Sequence, residues 1–325
     1  MLDLARELDH TGFDIKFYSF IPTSRCIKFG LQKKCIVSLF GIIAPFLILR
    51  RIFPKLSWIH IKVQDFIMGI FMRKCDICIS LTGYVYAPRI AQKKGAIIIM
   101  ERGSKHILEQ KKILEKNPHK KNEAIPNRNI KCNLKAYQFA NFISVASQHV
   151  KESFLLHQYP ENRIFVNPYG VDLSMFKPLP NIPKKYDVIM VGGWGYEKGC
   201  DLIVEAIRKT NYSFIHVGSI KDVDFPQEKN FTHIDPVDQS KLIEYYNQAK
   251  VFILPSRQDG FGMVLSQALA CNLPIIGSNN CGAPDLKKMV ELPEYITIIK
   301  DMLLVFLFIS YQICKKNTEF KFILT

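Results

Sequence analysis

The residues best suited to chemistry lie in one glycine-rich segment, 251–278, with the sequence VFILPSRQDGFGMVLSQALACNLPIIGS. An apolar run is followed by a turn that contains Gly260 and Gly262, and a predicted helix begins at Met263. Glycines let backbone N–H groups approach a phosphate closely, and the N-terminus of a helix favours negative charge. The segment therefore predicts a nucleotide diphosphate site, although such a turn alone is more often a matter of tight packing.

A second candidate segment lies at 191–207, with the sequence VGGWGYEKGCDLIVEAI. Gly192 and Gly193 end a predicted strand, and Lys198 precedes the next predicted helix. A lysine at this position can neutralise the charge on a departing diphosphate. Taken alone, the same lysine would more often be a solvated residue at the start of a helix.

These segments need a scaffold that presents the loops after its strands at one edge. From Tyr186 onwards, short β-branched runs alternate with amphipathic stretches that predict helices at 200–210, 240–248 and 263–270. Strands separated by helices of this length predict right-handed crossovers and a parallel sheet. The first half shows the same alternation less clearly, so we predict an α/β protein with two sheets whose post-strand loops face one cleft.

Length and composition predict two domains. The chain has 325 residues, more than the roughly 250–300 at which single cores stop growing. A linker rich in Pro, Gly and Asn at 167–183 divides the chain into domains at 1–170 and 171–300, followed by a tail at 301–325. The nine cysteines show no repeated spacing, and Cys75 and Cys78 are predicted to be buried thiols, with no metal bound.

The formal net charge of +15 indicates an acidic partner. Residues 25–62 hold eight Lys or Arg and no acid, around an apolar run at 35–49 that is too short to span a bilayer. We predict a helix lying on an anionic membrane surface, with a core helix between basic ends as the alternative. A second basic stretch, 111–135, predicts either a mobile loop or a solvated surface, and nothing typical of nucleic-acid binding accompanies the charge.

The string PSRQDGFGMVLSQALACNLPIIGSNNCGAPD, at 255–285, resembles the donor-binding segment of the family 4 retaining glycosyltransferases. The resemblance implies the GT-B architecture, two Rossmann-like domains facing a central cleft, with a nucleotide diphosphate sugar as substrate and no cofactor. It implies that Asp259 holds the sugar hydroxyls and that Gln267 binds the ribose, where the family has glutamate at both positions. The donor-binding residues so implied are Gly192, Gly193, Lys198, Arg257, Asp259, Gly260, Phe261, Gly262, Met263, Val264 and Gln267.

The resemblance also assigns the loop ERGSKH, which follows the strand-like run AIIIM, to the acceptor side. His106 would hydrogen-bond the transferred sugar, and Arg102 would approach a phosphate or the acceptor. Taken singly, each is more often structural, for example as a cap. The acceptor-side residues are Glu101, Arg102, Ser104 and His106, and the predicted catalytic residues are Asp259, Lys198 and His106.

Three departures from the family pattern lead to further expectations. Gly193 stands where the family has arginine, so we expect one cation at the diphosphate where the family has two, unless Arg257 or a basic residue of the N-terminal domain substitutes. The chain opens on MLDLARELDHTGFDIKFYSF, which resembles the family's first helix and second strand, so we expect a missing first strand. After Asp301 the pattern changes, and we expect a frameshifted tail, with a hydrophobic anchor as the alternative.

The sequence thus predicts a glycosyltransferase of cell-surface polysaccharide synthesis, peripheral at the cytoplasmic membrane face and retaining by resemblance. Its predicted partners are a nucleotide sugar, a saccharide or lipid-linked saccharide acceptor and an anionic membrane surface, but not nucleic acid. Two alternatives stay open: a non-catalytic truncated remnant, and a nucleotide-sugar epimerase of the same architecture. Acceptor-independent epimerisation or hydrolysis of the donor would favour the epimerase.

Overall fold

The computed structural model describes residues 1–52, 57–119, 125–290 and 296–299. The chain divides into two compact units, a first unit of residues 1–101 with 131–142 and a second unit of residues 102–130 with 143–325. This division does not test the predicted boundary near residue 170, which stays a prediction. The predicted tail at 301–325 lies outside the described residues.

The first half of the chain is built from short elements. Strands β1 and β2 form a two-stranded parallel sheet, and β3, β4, β5 and β6 follow one another in a four-stranded sheet. The bounds are α1 Leu2–His10, β1 Phe17–Ser19, α2 Thr23–Lys28, β2 Ile36–Ser38, α3 Phe40–Ile52, α4 Ser57–Phe71, β3 Ile77–Leu81, α5 Tyr86–Lys93, β4 Ile97–Arg102, α6 Ile107–Glu115, α7 Asn127–Phe139, β5 Phe142–Val145, α8 Gln148–Leu155 and β6 Ile164–Val166.

The apolar run 35–49 is not one helix. Its β-branched residues Ile36 and Val37 pair with β1, and α3 begins only at Phe40. Within α3, Ile43 is buried against Ile67 of α4, so this helix has a core-facing side as well as an exposed one. In the described ranges, no helix has both the length and the apolarity needed to cross a bilayer.

The second half carries a six-stranded sheet in the order β12-β11-β10-β7-β8-β9, with every described neighbour pair parallel. The predicted α/β class with parallel sheets is confirmed. The bounds are β7 Tyr186–Val191, α9 Cys200–Thr210, β8 Phe214–Val217, β9 Phe231–Ile234, α10 Leu242–Gln248, β10 Ala249–Leu254, α11 Met263–Ala270, β11 Ile275–Ser278, α12 Ala283–Met289 and β12 Ile296–Ile299.

Apolar residues on both faces of the central strands explain why this sheet is buried. Val188 and Ile189 of β7, and Phe252 and Ile253 of β10, are consecutive residues that point to opposite faces, and all four are fully buried.

The predicted helices 200–210 and 263–270 match α9 and α11 residue for residue, whereas α10 begins two residues later than predicted, after a 3-10 turn.

The two clustered thiols are less buried than predicted. Cys75 and Cys78 are half-buried, because Cys75 precedes the strand and Cys78 lies in β3 at the start of its pairing with β4. Burial raises the pKa of Cys78 to about 12. Across the described ranges, no group of three His, Cys, Asp or Glu side chains is placed to hold a metal ion.

Candidate functional site

The order of the six-stranded sheet reverses between β7 and β10, which are neighbours although a long stretch of chain separates them. From β7 the chain runs to β8 and β9 on one side, and from β10 it runs to β11 and β12 on the other. The loops at the carboxyl ends of two such strands diverge and leave a crevice in which ligands bind. The two candidate segments of the sequence, 192–198 and 255–262, are the loops that flank this point.

A lysine and a carboxylate from these two loops form a salt bridge. Nζ of Lys198 lies 2.6 Å from Oδ2 of Asp259, and the side chains are 20% and 16% exposed. A Cβ atom built on Gly262, the residue before α11, would lie 3.3 Å from the same Oδ2. A cation, a carboxylate and a helix N-terminus therefore lie together, which suits an anion beside a group that carries hydroxyls.

Arg257 is engaged away from this pair. Its guanidinium makes two hydrogen bonds to the carboxylate of Asp201, at 2.6 and 2.7 Å, and stacks over the ring of Tyr196 at 3.9 Å. It also donates to the carbonyl oxygen of Tyr196 at 2.8 Å. Arg257 thus holds the turn that carries Lys198, and its predicted part in diphosphate binding stays a prediction.

The other predicted donor residues differ in what their side chains do. Gln267 is buried on α11, and its Oε1 accepts a hydrogen bond from the hydroxyl of Tyr246 at 2.9 Å. Phe261 is buried against Tyr169, so its side chain is not available to a ligand and only its backbone can contact one. The first turn of α11 is more open, with Met263 exposed and Val264 half-buried. The ribose contact predicted for Gln267 is untested by this geometry.

Two of the four predicted acceptor-side residues stabilise their own loop. Arg102 is buried, and its guanidinium donates to the carbonyl oxygens of Ser104 and Lys105 at 2.9–3.1 Å. His106 is buried too, caps α6 by accepting from the backbone N–H of Leu108 at 3.4 Å, and burial lowers its pKa to about 3. Ser104 is half-buried. The predicted sugar and acceptor contacts of these residues stay predictions.

Glu101, the fourth predicted acceptor-side residue, is half-buried near the end of β4, where it pairs in register with Leu81 of β3. It belongs to the first unit, whereas the other three belong to the second unit. Its predicted acceptor contact is likewise untested.

Sequence reasoning missed the residues that hold the loop after β10. Nε2 of His149 lies 2.8 Å from the carbonyl oxygen of Asp259, and Oγ of Ser147 donates to the carbonyl oxygen of Gly260 at 2.5 Å. A Cβ atom on Gly260 would overlap the carbonyl oxygen of Gly103, so these two loops meet backbone to backbone. The partners are separated by more than a hundred residues, and no local pattern reveals them.

Gln258 is a buried polar residue in the same loop. It is 1% exposed, and neither of its amide atoms has a hydrogen-bond partner among the described residues. An unpaired buried amide costs about 1–3 kcal/mol. We therefore expect Gln258→Met, which keeps the length of the side chain, to raise the free energy of unfolding by about 1 kcal/mol, as measured by urea denaturation.

The matched control for this prediction is Gln267→Met, in which the lost amide oxygen is hydrogen-bonded by Tyr246. This variant leaves a buried hydroxyl unpaired and should lose stability. If both variants lose stability equally, the amide of Gln258 is satisfied in solution and the prediction is wrong.

A buried histidine joins β8 to the first candidate loop. His216 is fully buried, its Nε2–H donates to the carbonyl oxygen of Gly192 at 2.8 Å, and its Nδ1 lies 2.9 Å from Nδ1 of His233. Burial, followed by the charge of His233, lowers the pKa of His216 to about 4, although the carbonyl bond opposes this shift. The neutral imidazole is therefore the form that the folded protein holds.

This lowered pKa makes stability depend on pH in a definite direction. Between the unfolded pKa of about 6.5 and the folded pKa of about 4, the side chain of His216 binds a proton in the unfolded chain but not in the folded protein. The free energy of unfolding therefore falls as the pH falls towards 4, and the contribution of His216 changes no further below that pH. We expect a loss of about 2 kcal/mol between roughly pH 6.5 and pH 5, by urea denaturation, and a smaller loss in His216→Gln. Equal losses in both proteins would contradict the assignment.

The part of the chain that carries these loops is similar to known proteins. Residues 174–291 match the family model described as glycosyl transferases group 1. An uncharacterized glycosyltransferase of Methanocaldococcus jannaschii is 27% identical over 105 residues, which cover 30% of this chain and 30% of that protein. An uncharacterized 41.2 kDa protein in the cps region of Klebsiella pneumoniae is 30% identical over 140 residues, which cover 39% of each.

The matched part of the chain therefore spans between 30% and 39% of the length of these two relatives. Among solved structures, HepE of Anabaena in complex with UDP and glucose gives a TM-score of 0.64 at 12% identity and covers 92% of this chain and 82% of that one. At that identity the likeness shows the fold alone. Residues 174–291 are therefore similar to the glycosyl transferases of group 1, and the chain shares the α/β fold of GT-B enzymes.

Proposed function

We propose that this chain transfers a sugar from a nucleoside diphosphate sugar to a hydroxyl of a saccharide or lipid-linked saccharide, with retention at the anomeric carbon. The observation that carries the proposal is the salt bridge between Lys198 and Asp259, beside the N-terminus of α11 and between the loops of the switch point. Both residues lie inside the segment that matches the glycosyl transferase model, which supports the same assignment.

In the proposed reaction, the bond between the anomeric carbon and the diphosphate oxygen breaks as the acceptor oxygen bonds to that carbon. The acceptor proton passes to an oxygen of the departing diphosphate, so atoms and charges balance. Lys198 and the backbone N–H groups around Gly260 and Gly262 stabilise the negative charge that develops on the diphosphate. Retention, with attack on the face of the leaving group, is proposed from the family resemblance.

The salt bridge fits both of its proposed tasks. A lysine ammonium has three N–H donors, so Lys198 can keep its bond to Asp259 and still donate to a phosphate oxygen. The second carboxylate oxygen of Asp259 can then accept from a sugar hydroxyl. The bridge thereby fixes the distance between the leaving group and the sugar, which favours one orientation of the donor.

We further propose that the acceptor belongs to cell-surface polysaccharide synthesis and is used at the cytoplasmic membrane face. The relative from the cps region of Klebsiella supports the first part. Exposed apolar side chains of the first unit support the second: Ile42 and Phe46 lie one turn apart on α3, as do Phe66 and Ile70 on α4. Apolar side chains flanked by the basic residues of 25–62 suit an anionic lipid surface.

Flotation with vesicles tests the membrane proposal. We expect binding to phosphatidylcholine vesicles that contain phosphatidylglycerol, weaker binding to phosphatidylcholine alone, and a loss of binding in the double variant Phe46→Ser, Ile70→Ser. Leu156→Ser is the matched control, because Leu156 is an exposed apolar residue of the second unit. Binding that depends neither on lipid charge nor on the double variant would contradict the proposal.

Thermal unfolding with UDP, GDP, ADP and their sugar conjugates tests the donor site. A ligand that binds the native state raises the unfolding midpoint, and we expect a shift with one nucleotide that the variant Lys198→Ala, Asp259→Ala loses. Incubation of that labelled donor with extracted membrane lipids then distinguishes transfer from donor hydrolysis and epimerisation. If the protein unfolds cooperatively and no nucleotide shifts the unfolding midpoint, the non-catalytic remnant becomes the better interpretation.

A further inference from the structure

A lysine from the loop after β8 covers Gly193. A Cβ atom built on Gly193 would collide with Cε of Lys221 and lie 2.9 Å from its Nζ. The ammonium group of Lys221 therefore lies beside the backbone of the turn after β7. Gly193 is the residue at which the family resemblance led us to expect an arginine.

Backbone pairing fixes Lys221 at this place. The N–H of Lys221 donates to the carbonyl oxygen of Trp194 at 2.9 Å, and the N–H of Trp194 donates to the carbonyl oxygen of Ser219 at 2.8 Å. The indole of Trp194 is fully buried and packs against Phe214. The two loops at the carboxyl ends of β7 and β8 are therefore joined by backbone hydrogen bonds, which hold Lys221 beside the turn after β7.

Lys221 differs from Lys198 and Arg257 in its salt-bridge partners. Lys198 is paired with Asp259, and Arg257 with Asp201. Lys221 is exposed and, among the described residues, forms no salt bridge.

The acid nearest in sequence, Asp222, is engaged elsewhere. Its carboxylate accepts from the backbone N–H of Tyr196 at 3.0 Å and from Nδ2 of Asn117 at 2.7 Å. It therefore stabilises the turn and is not an ion-pair partner of Lys221.

We propose that Lys221 is the second diphosphate-binding cation of this chain, reaching from the loop after β8 over the side-chain-free Gly193. The inference rests on the proposed donor site. Lys221 lies beside Gly193 at the start of the turn 193–198, and Lys198 is the last residue of that turn. Two ammonium groups match the two phosphates of a nucleoside diphosphate. Gly193 and Lys221 are complementary, because a side chain at 193 would displace the lysine.

A charge swap provides a test that a merely structural role would not pass. The φ angle of Gly193 lies outside the positive range, so the backbone accepts an L side chain there once Lys221 is shortened. The variants are Lys221→Met, which keeps the aliphatic stem, the swap Gly193→Arg with Lys221→Ala, and Lys229→Met as an exposed lysine control.

Calorimetric titration with UDP, UMP and uridine measures the phosphate contribution separately from that of the base. If another diphosphate gives the larger thermal shift, its own nucleoside series replaces these probes. We expect Lys221→Met to weaken UDP binding about 10-fold and uridine binding less than about twofold, with the swap restoring most of the loss. Lys229→Met should bind like the unaltered chain.

The outcomes separate this inference from the proposed function. If the unaltered chain binds UDP and Lys221→Met binds it equally well, the role of Lys221 is wrong while the donor site stands. Equal losses for UDP and uridine would show a structural effect and also overturn the inference. If the unaltered chain binds none of the nucleoside diphosphates, the proposed function and this inference fail together.

Discussion

Replacing Lys198 by methionine is expected to lower the rate of sugar transfer by at least about 100-fold, because a preorganised donor to the leaving group contributes that much or more. The side chain keeps its length and loses only its charge, so the unfolding midpoint should change by a few degrees at most. The measurement is single-turnover transfer from a labelled nucleotide sugar with saturating donor, which separates the chemical step from weaker binding.

The partner variant Asp259→Asn tests whether the two residues act as a unit. The bond of 2.6 Å between Nζ and Oδ2 predicts strong coupling, so the double variant should be little slower than the worse single variant. Independent, multiplicative losses would mean that the salt bridge does not orient the donor. A Lys198→Met enzyme that keeps more than about a tenth of its rate would exclude Lys198 from leaving-group stabilisation.

Replacing Gly218 by alanine is expected to lower the free energy of unfolding by about 4 kcal/mol, which combines backbone strain with a steric overlap. Gly218 has a φ of +148°, and a Cβ atom there would overlap the carbonyl oxygen of Gly192. Neither group can move away easily, because both are backbone at the carboxyl ends of β7 and β8. Urea denaturation measures the change, and loss of nucleotide binding should accompany it.

Gly192→Ala is the matched control for the steric part. Gly192 also has a positive φ, +126°, but a Cβ atom built on it meets no atom within 4 Å. This variant should show the strain alone, about 1–3 kcal/mol. Equal losses in the two variants would mean that the loops separate in solution, which would also loosen the placement of Lys221.

Local patterns were sufficient for most elements of the second half of the chain. Helices α9 and α11 match their predicted bounds, because an amphipathic or apolar run directly after a glycine specifies where each helix begins. Strand β9 was not predicted, since its sequence FTHI alternates weakly and is half-buried. The apolar run 35–49 was misread as one helix, because the pairing of β2 with β1 depends on residues far away in sequence.

The sequence by itself determined the parallel α/β scaffold and the two loops that flank the switch point, together with Lys198 and Asp259. Only the tertiary structure decided the partners of the other candidate side chains: Arg257 hydrogen-bonds Asp201, His106 caps α6, and Lys221 lies beside Gly193. The physical reason is that periodicity and turn chemistry act over a few residues. Contacts between loops depend instead on strand order and packing, which join residues far apart in the chain.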